Sequence, residues 1–197
     1  LQQINQQMTR NFFDLFCAGE EHKNKYVGSK VIDAGDIRQT LGGICTIGRG
    51  EVDLTTFYPL RKDDYKEAVK GNIGAVGALG LALNNLSLKV NVEDAGKMLV
   101  VISGPKDTTT LNVLSEIANS LQERAPKSVL RIGDYPRRAR EISLTLVLSK
   151  LTSVPTMEGI FMQAERLLKT QQDIEMETEH KIRKMYETSI NIPALVQ

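Results

Sequence analysis

The sequence has no tryptophan, and only 5% of its 197 residues are aromatic. So few aromatic side chains argue against a platform on which single-stranded nucleic acid would stack. The charges nearly cancel, to a formal net charge of +1, so no overall field favours nucleic acid or an anionic membrane as a partner. No apolar run approaches the roughly 20 residues of a membrane-spanning helix, and we expect none.

Cysteine and histidine are scarce as well, with two of each. Cys17 and Cys45 lie in apolar stretches, which favours reduced thiols in a cytoplasmic protein; a structural disulfide is the alternative. His22 and His180 are far apart, and no cluster has metal-ligand spacing, so we expect no metal held by this chain alone. The first residues do not form a signal peptide, and the chain does not begin with Met. We therefore expect a piece of a longer protein.

Hydrophobic residues make up 41% of the chain, which is enough to bury a core. Periodicity predicts an amphipathic helix at 4–18, an alanine- and glycine-rich helix at 64–85, a helix begun by Thr109 or Thr110, and a long charged helix at 156–189. Strands are predicted at 44–48, 96–104, 128–132 and 141–151, with a turn at 134–136. This order predicts an α/β (α+β) sandwich, in which helices flank a small mixed β-sheet.

Residues 30–50 contain two aspartates around a glycine. Asp36 is predicted to be a helix N-cap that forms a capping box with Gln39, and Gly42 and Gly43 are predicted to end that helix. Asp33 has no such local task, which makes it the first candidate for a function.

The segment Val31-Ile32-Asp33-Ala34-Gly35-Asp36 resembles the synergy loop of the tubulin/FtsZ superfamily, especially its archaeal FtsZ-like and CetZ-like branch. FtsZ proteins carry Asn-x-Asp-x-x-Asp there; both aspartates match, and Val31 replaces the asparagine. The order of elements over 68–151 is similar to an FtsZ activation domain. Residues 96–104 fit its G-x-x-x-L-V-x-I-x-G strand, and 141–146 fit its E-I-x-V-T-V-like strand.

The resemblance implies the C-terminal, activation half of a cytoskeletal GTPase, with the fold of the FtsZ/tubulin C-terminal domain and long helices at both ends. Residues 1–29 would be the end of the central helix and a connector, 30–151 the activation domain, and 152–197 a C-terminal helix and tail. Identical subunits would form head-to-tail filaments, in which Asp33 and Asp36 activate GTP hydrolysis in the adjacent subunit. The same resemblance assigns Asn5 to the guanine ring, and GTP and Mg mainly to the missing N-terminal half.

The family's Gly-Gly-Thr-Gly-Thr-Gly phosphate loop is absent, so we expect the isolated chain to be inactive as a GTPase. Gly74-x-x-Gly77-x-x-Gly80 follows helical spacing and is not a dinucleotide fingerprint. One alternative is a stand-alone α/β interaction or oligomerisation module without nucleotide chemistry; another is a family member that kept the fold and lost polymerisation. The thin apolar stripe of the C-terminal helix predicts either one seam packed on its own domain or a surface for a partner protein or a second copy.

Overall fold

The computed structural model describes residues 2–19, 28–57 and 64–190. In these residues the helices and strands are α1 (Gln2–Gly19), α2 (Ala34–Thr40), β1 (Ile44–Asp53), α3 (Asp64–Asn84), β2 (Lys97–Gly104), α4 (Leu111–Arg124), β3 (Val129–Pro136), β4 (Glu141–Leu151) and α5 (Pro155–Ile190). Short 3-10 helices span Leu54–Phe57 and Val92–Asp94. The chain divides into two compact units, one ending at Val154 and the other beginning at Pro155.

The first unit is built on a mixed four-stranded sheet in the order β1-β4-β2-β3. Strand β4 runs antiparallel to both β1 and β2, and β3 runs parallel to β2. This arrangement confirms the predicted mixed sheet flanked by helices. Residues 142–149 of β4 are all buried, on both of its faces, because this strand lies inside the sheet and helices cover both sides.

One face of the sheet holds a core formed with α1, α2 and the residues before α2. Leu15 and Ala18 of α1 meet Ile37 of α2 and apolar side chains of β1, β2 and β4 there. Helix α1 has 18 residues, half the 36 of α5, so the expectation of a long N-terminal helix is not confirmed, whereas a long C-terminal helix is. The helix ends at Gly19, as predicted, since glycine has a low helix propensity.

The other face is covered closely by α3. A Cβ added to Gly50 would lie 1.9 Å from the Ala78 carbonyl oxygen, and one added to Gly48 would lie 2.1 Å from that of Ala82. Ala78 and Ala82 are fully buried at this contact. Small residues on both elements therefore let the helix backbone approach the strand backbone, which explains the composition of α3.

Strand β3 continues through residues 134–136, so the turn predicted there is wrong. Tyr135 and Pro136 pair with Ser103 and Gly104 of β2. Proline is tolerated because it ends a strand at the edge of the sheet.

The structure also bears on the expectations about cysteines, membrane helices and metal ions. Cys17 and Cys45 form no disulfide with each other. The connector residues 20–27, with His22, and the tail 191–197 lie outside the described residues. Within the part of the chain that the structure describes, no helix combines the length and hydropathy needed to cross a membrane. The same residues contain no group of three His, Cys, Asp or Glu side chains that could hold a metal ion.

Candidate functional site

The two aspartates lie in residues 28–40, which we call the acidic segment. Asp33, and not Asp36, is the N-cap of α2: its Oδ1 accepts the backbone N–H of Asp36 at 2.6 Å. The sequence prediction was wrong because the helix begins at Ala34, ahead of Asp36. An N-cap side chain reaches the N–H three residues later, and for this helix start that residue is Asp36.

Asp36 has a long-range partner that the sequence did not indicate. Its Oδ1 accepts from Nε of Arg131 on β3 at 2.7 Å, and Gln39 Oε1 accepts from Nη2 of the same guanidinium at 2.6 Å. The predicted capping box between Asp36 and Gln39 is thus replaced by a shared contact with Arg131. That contact fastens α2 to the edge strand of the sheet.

Asp134 on β3 fastens the start of the acidic segment. Its carboxylate accepts the backbone N–H groups of Ser29 at 2.9 Å and Lys30 at 2.6 Å, and its own N–H donates to Lys30 O at 2.9 Å. Asp134 is 7% exposed, and a Cβ added to the preceding Gly133 would lie 2.5 Å from Lys30 O. Sequence reasoning missed this residue by assigning it to a turn; the only local signal is a Gly-Asp pair inside an apolar strand.

The acidic segment is anchored on its inner side and open on its outer side. Ile32 and Ile37 are buried in the core beneath α1, at 3% and 6% exposure. Val31 and Asp33 lie on either side of Ile32 in the chain and are exposed, Val31 to 60%. The fold therefore presents the Asp33 carboxylate to solvent from a backbone held by apolar contacts and hydrogen bonds.

Asn5, the predicted guanine contact, lies on the exposed surface of α1. Its backbone oxygen accepts from the Thr9 hydroxyl at 2.8 Å. It precedes Leu15, which packs in the core with the acidic segment, by about 15 Å along the helix axis. The structure thus brings Asp33 and Asp36 together and does not place Asn5 with them.

A second polar group joins α1 to the sheet. The buried Asp14 accepts from Arg49 Nε at 3.2 Å and from the Ser143 hydroxyl at 3.0 Å, and Arg49 also bonds Glu51. Burial raises the pKa of Glu51, but the hydrogen bond and charge of Arg49, a hydrogen bond with Glu141 and the charge of Arg10 together lower it by more, so its pKa lies below the usual value. The Asp14 contacts bind α1 to β1 and β4, and Arg49 and Glu51 also line a cleft of about 360 Å³. We assign them a structural role.

We compared the chain with known protein families and solved structures. The family model described as "Tubulin-like CetZ, C-terminal domain" matches residues 1–166, most of the chain. The chain belongs to the tubulin-like CetZ family. The resemblance drawn from the acidic segment and the strand motifs is thereby confirmed at the level of the family and of the domain.

Individual CetZ relatives agree with this assignment. The chain is 28% identical over 183 residues to tubulin-like protein CetZ3 of Haloferax volcanii, covering 87% of this chain and 46% of that protein. CetZ from Methanosaeta thermophila has the same fold, with a TM-score of 0.67 at 18% identity, over 96% of this chain and 49% of that one. CetZ2 from Haloferax volcanii, solved as a GTPγS-bound protofilament, gives a TM-score of 0.65 at 20% identity, over 86% and 46% of the two chains. The chain spans less than half the length of each of these relatives.

Proposed function

We propose that this CetZ domain is the activating half of a cytoskeletal GTPase, and that Asp33 acts on the nucleotide of the adjacent subunit in a head-to-tail filament. The observation that carries the proposal is the exposed Asp33 carboxylate, held on an anchored backbone at the start of α2. CetZ2, which has the same fold, was solved as a GTPγS-bound protofilament, so nucleotide and assembly occur together in a relative.

In this proposal the Asp33 carboxylate positions and polarises the water that attacks the γ-phosphate. Phosphoryl transfer is accelerated largely by positioning and electrostatics, and a carboxylate oxygen is a suitable acceptor for the proton of that water. The cap holds Oδ1 on the Asp36 N–H, so Oδ2 can accept from a second donor. A cap that also restricts the side-chain rotamer reduces the entropy lost when the filament contact forms.

Asp36 contributes differently in this proposal. Because Arg131 already donates to its Oδ1, Asp36 holds α2 in place and adds charge near the contact. Both aspartates thus remain in the site, Asp33 facing the neighbour's water and Asp36 behind it.

The other components of the proposed GTPase site are the nucleotide, its metal ion and the residues that bind them. GTP and Mg would be bound mainly by a preceding half, and Asn5 would touch the guanine of its own subunit, away from its own acidic segment. A head-to-tail contact uses two different surfaces and does not close, so it builds filaments. We place such a filament in the cytoplasm.

Asp33→Asn in the protein that includes the preceding half tests the role of the carboxylate. Asparagine caps helices about as well as aspartate, so the free energy of unfolding should change by only a few tenths of a kcal/mol. Loss of the carboxylate should lower kcat by about 100-fold. Asp33→Ala should lower kcat equally and also cost about 1 kcal/mol, because it removes the cap.

Asp53→Asn is the matched control. Asp53 is also exposed and accepts a backbone N–H, that of Thr55 at 2.7 Å, but it lies at the far end of β1. Its variant should turn over GTP at the wild-type rate. Mixing Asp33→Asn with wild-type subunits should inhibit turnover in proportion to the mixed contacts. Wild-type turnover by fully assembled Asp33→Asn would refute the proposal and favour a family member without this chemistry.

A further inference from the structure

The distal part of α5 extends past the matched family domain, which ends at residue 166. Along residues 160–188 of this helix the side chains are exposed. The large apolar ones are Ile160, Phe161, Met162, Leu167, Leu168, Ile174, Met176, Ile182, Met185 and Tyr186. Exposed apolar surface on this scale is typical of an interaction surface.

Several of these side chains form a stripe at helical spacing, which we call the seam. At about 100° per residue, the apolar Ile174, Ile182 and Met185 point within about 40° of one direction, together with the polar Gln171 and Thr178. Met176 lies on the opposite side of the helix by the same count. The seam therefore has the narrow width of a contact between two helices.

Charge is segregated along the same stretch. Residues 173–179 contain acidic side chains and no basic one: Asp173, Glu175, Glu177 and Glu179. Residues 181–184 contain basic side chains and no acidic one: Lys181, Arg183 and Lys184. Among the described side chains of the helix, this charge is matched in part, by the exposed Glu177–Lys181 pair at 2.9 Å and the longer Arg183–Glu187 contact at 4.0 Å.

We propose that α5 pairs with α5 of a second copy of this chain, antiparallel, about a twofold axis near His180. This axis sets the acidic stretch of each copy against the basic stretch of the other. Glu177 lies three residues before His180 and Lys184 four residues after it, on the same flank of the seam, so each Glu177 comes within about 1.5 Å, along the helix axis, of the level of the partner's Lys184. Ile174 lies six residues before His180 and Met185 five residues after it, so these two also come within about 1.5 Å of the same level, and the seam buries apolar surface along the overlap.

Parallel pairing in register is disfavoured by the same charges. It would set the acidic stretch against itself and the basic stretch against itself, at the separation where like charges destabilise helix pairs. The antiparallel contact is isologous and closes on itself, so it joins two chains and no more. It uses none of the residues assigned to GTP hydrolysis, and the two proposals can fail separately.

Sedimentation equilibrium of the 197-residue chain tests the pairing. We expect a concentration-dependent monomer–dimer equilibrium. Ile174→Glu places a charge in the seam and should raise the dimer Kd by about tenfold or more. Met176→Glu makes the same change at an equally exposed methionine on the opposite face and should leave the Kd unchanged. All these positions are exposed, so the far-UV spectrum and the unfolding of the first unit should not change.

Charge reversal tests the register. Lys184→Glu should weaken the dimer, because it sets glutamate against the partner's Glu177, and adding Glu177→Lys should restore it. A purely structural effect on one helix would not be restored in this way.

Crosslinking tests the orientation, in a background where Cys17 and Cys45 are serine. Chains with Ile174→Cys and chains with Met185→Cys should form disulfide-linked dimers when mixed, and neither should do so alone. A monomer at every concentration, a dimer insensitive to Ile174→Glu, or self-crosslinking of Ile174→Cys alone would each overturn the proposal.

Discussion

Asp134 is the residue whose removal should most directly loosen the acidic segment. Its buried carboxylate accepts two backbone N–H groups, from Ser29 and Lys30, that no helix or strand of the segment satisfies. A hydrogen bond to a charged group contributes about 1.5–3 kcal/mol when buried. Ser29 and Lys30 are themselves exposed, so water can replace part of the loss. We expect Asp134→Ala to cost about 2–4 kcal/mol in the free energy of unfolding.

Asp134→Asn separates the charge from the hydrogen bonds. The amide keeps one oxygen acceptor and the shape of the side chain but loses the charge, so the cost should be about half that of Asp134→Ala. Asp107→Ala, at an exposed aspartate on the loop after β2, is the control and should cost less than 0.5 kcal/mol or so.

Urea unfolding gives the free energies, and amide hydrogen exchange locates the effect. In Asp134→Ala the amides of Ser29 and Lys30 should exchange much faster, while those of β4 should follow only the global change in stability. If the proposed role of Asp33 in a protein with a nucleotide-binding half is right, GTP turnover there should fall, because the start of the segment that carries Asp33 is held less firmly. An Asp134→Ala variant with wild-type stability and wild-type exchange at these two amides would refute the anchoring argument.

Two further predictions concern packing and pH. Gly50→Ala should lower the free energy of unfolding by about 3 kcal/mol or more, because its Cβ would lie 1.9 Å from Ala78 O. Gly80→Ala adds a Cβ with nothing within 4 Å and should raise the free energy of unfolding by up to about 1 kcal/mol, through the higher helix propensity of alanine. The urea midpoints of the two variants should therefore shift in opposite directions. The Ser153 and Thr152 N–H groups and the Thr152 hydroxyl hold the pKa of Asp94 below its usual value. A lowered folded-state pKa contributes stability above the unfolded-state pKa, and this is lost as pH falls through the folded-state pKa. Thermal unfolding in acid, below about pH 4, should therefore depend less on pH in Asp94→Asn; an unchanged pH dependence would contradict this.

The elements predicted correctly from the sequence are those whose signals are local. The apolar run of β2, the length of β4 and the amphipathic face of α4 appear within the window that forms each element. The end of β3 was missed because Asp134 and Pro136 are typical turn residues. What keeps them in a strand is pairing with β2 and, for Asp134, a hydrogen bond to Lys30, more than 100 residues earlier. The burial of both faces of β4 depends likewise on two helix layers that the strand itself does not encode.

The spacing of the acidic segment and of the strand motifs was enough to indicate the family, and it located both aspartates. The contacts that each aspartate makes depend on how distant parts of the chain fold together. Ile32 and Ile37 both have to be buried beneath α1, and this sets where α2 begins and makes Asp33 its cap. Asp36 is then left for Arg131, a partner 95 residues away that becomes a neighbour only when the sheet forms. Short-range patterns specify which residues can cap a helix, but the burial of distant side chains selects the one that does.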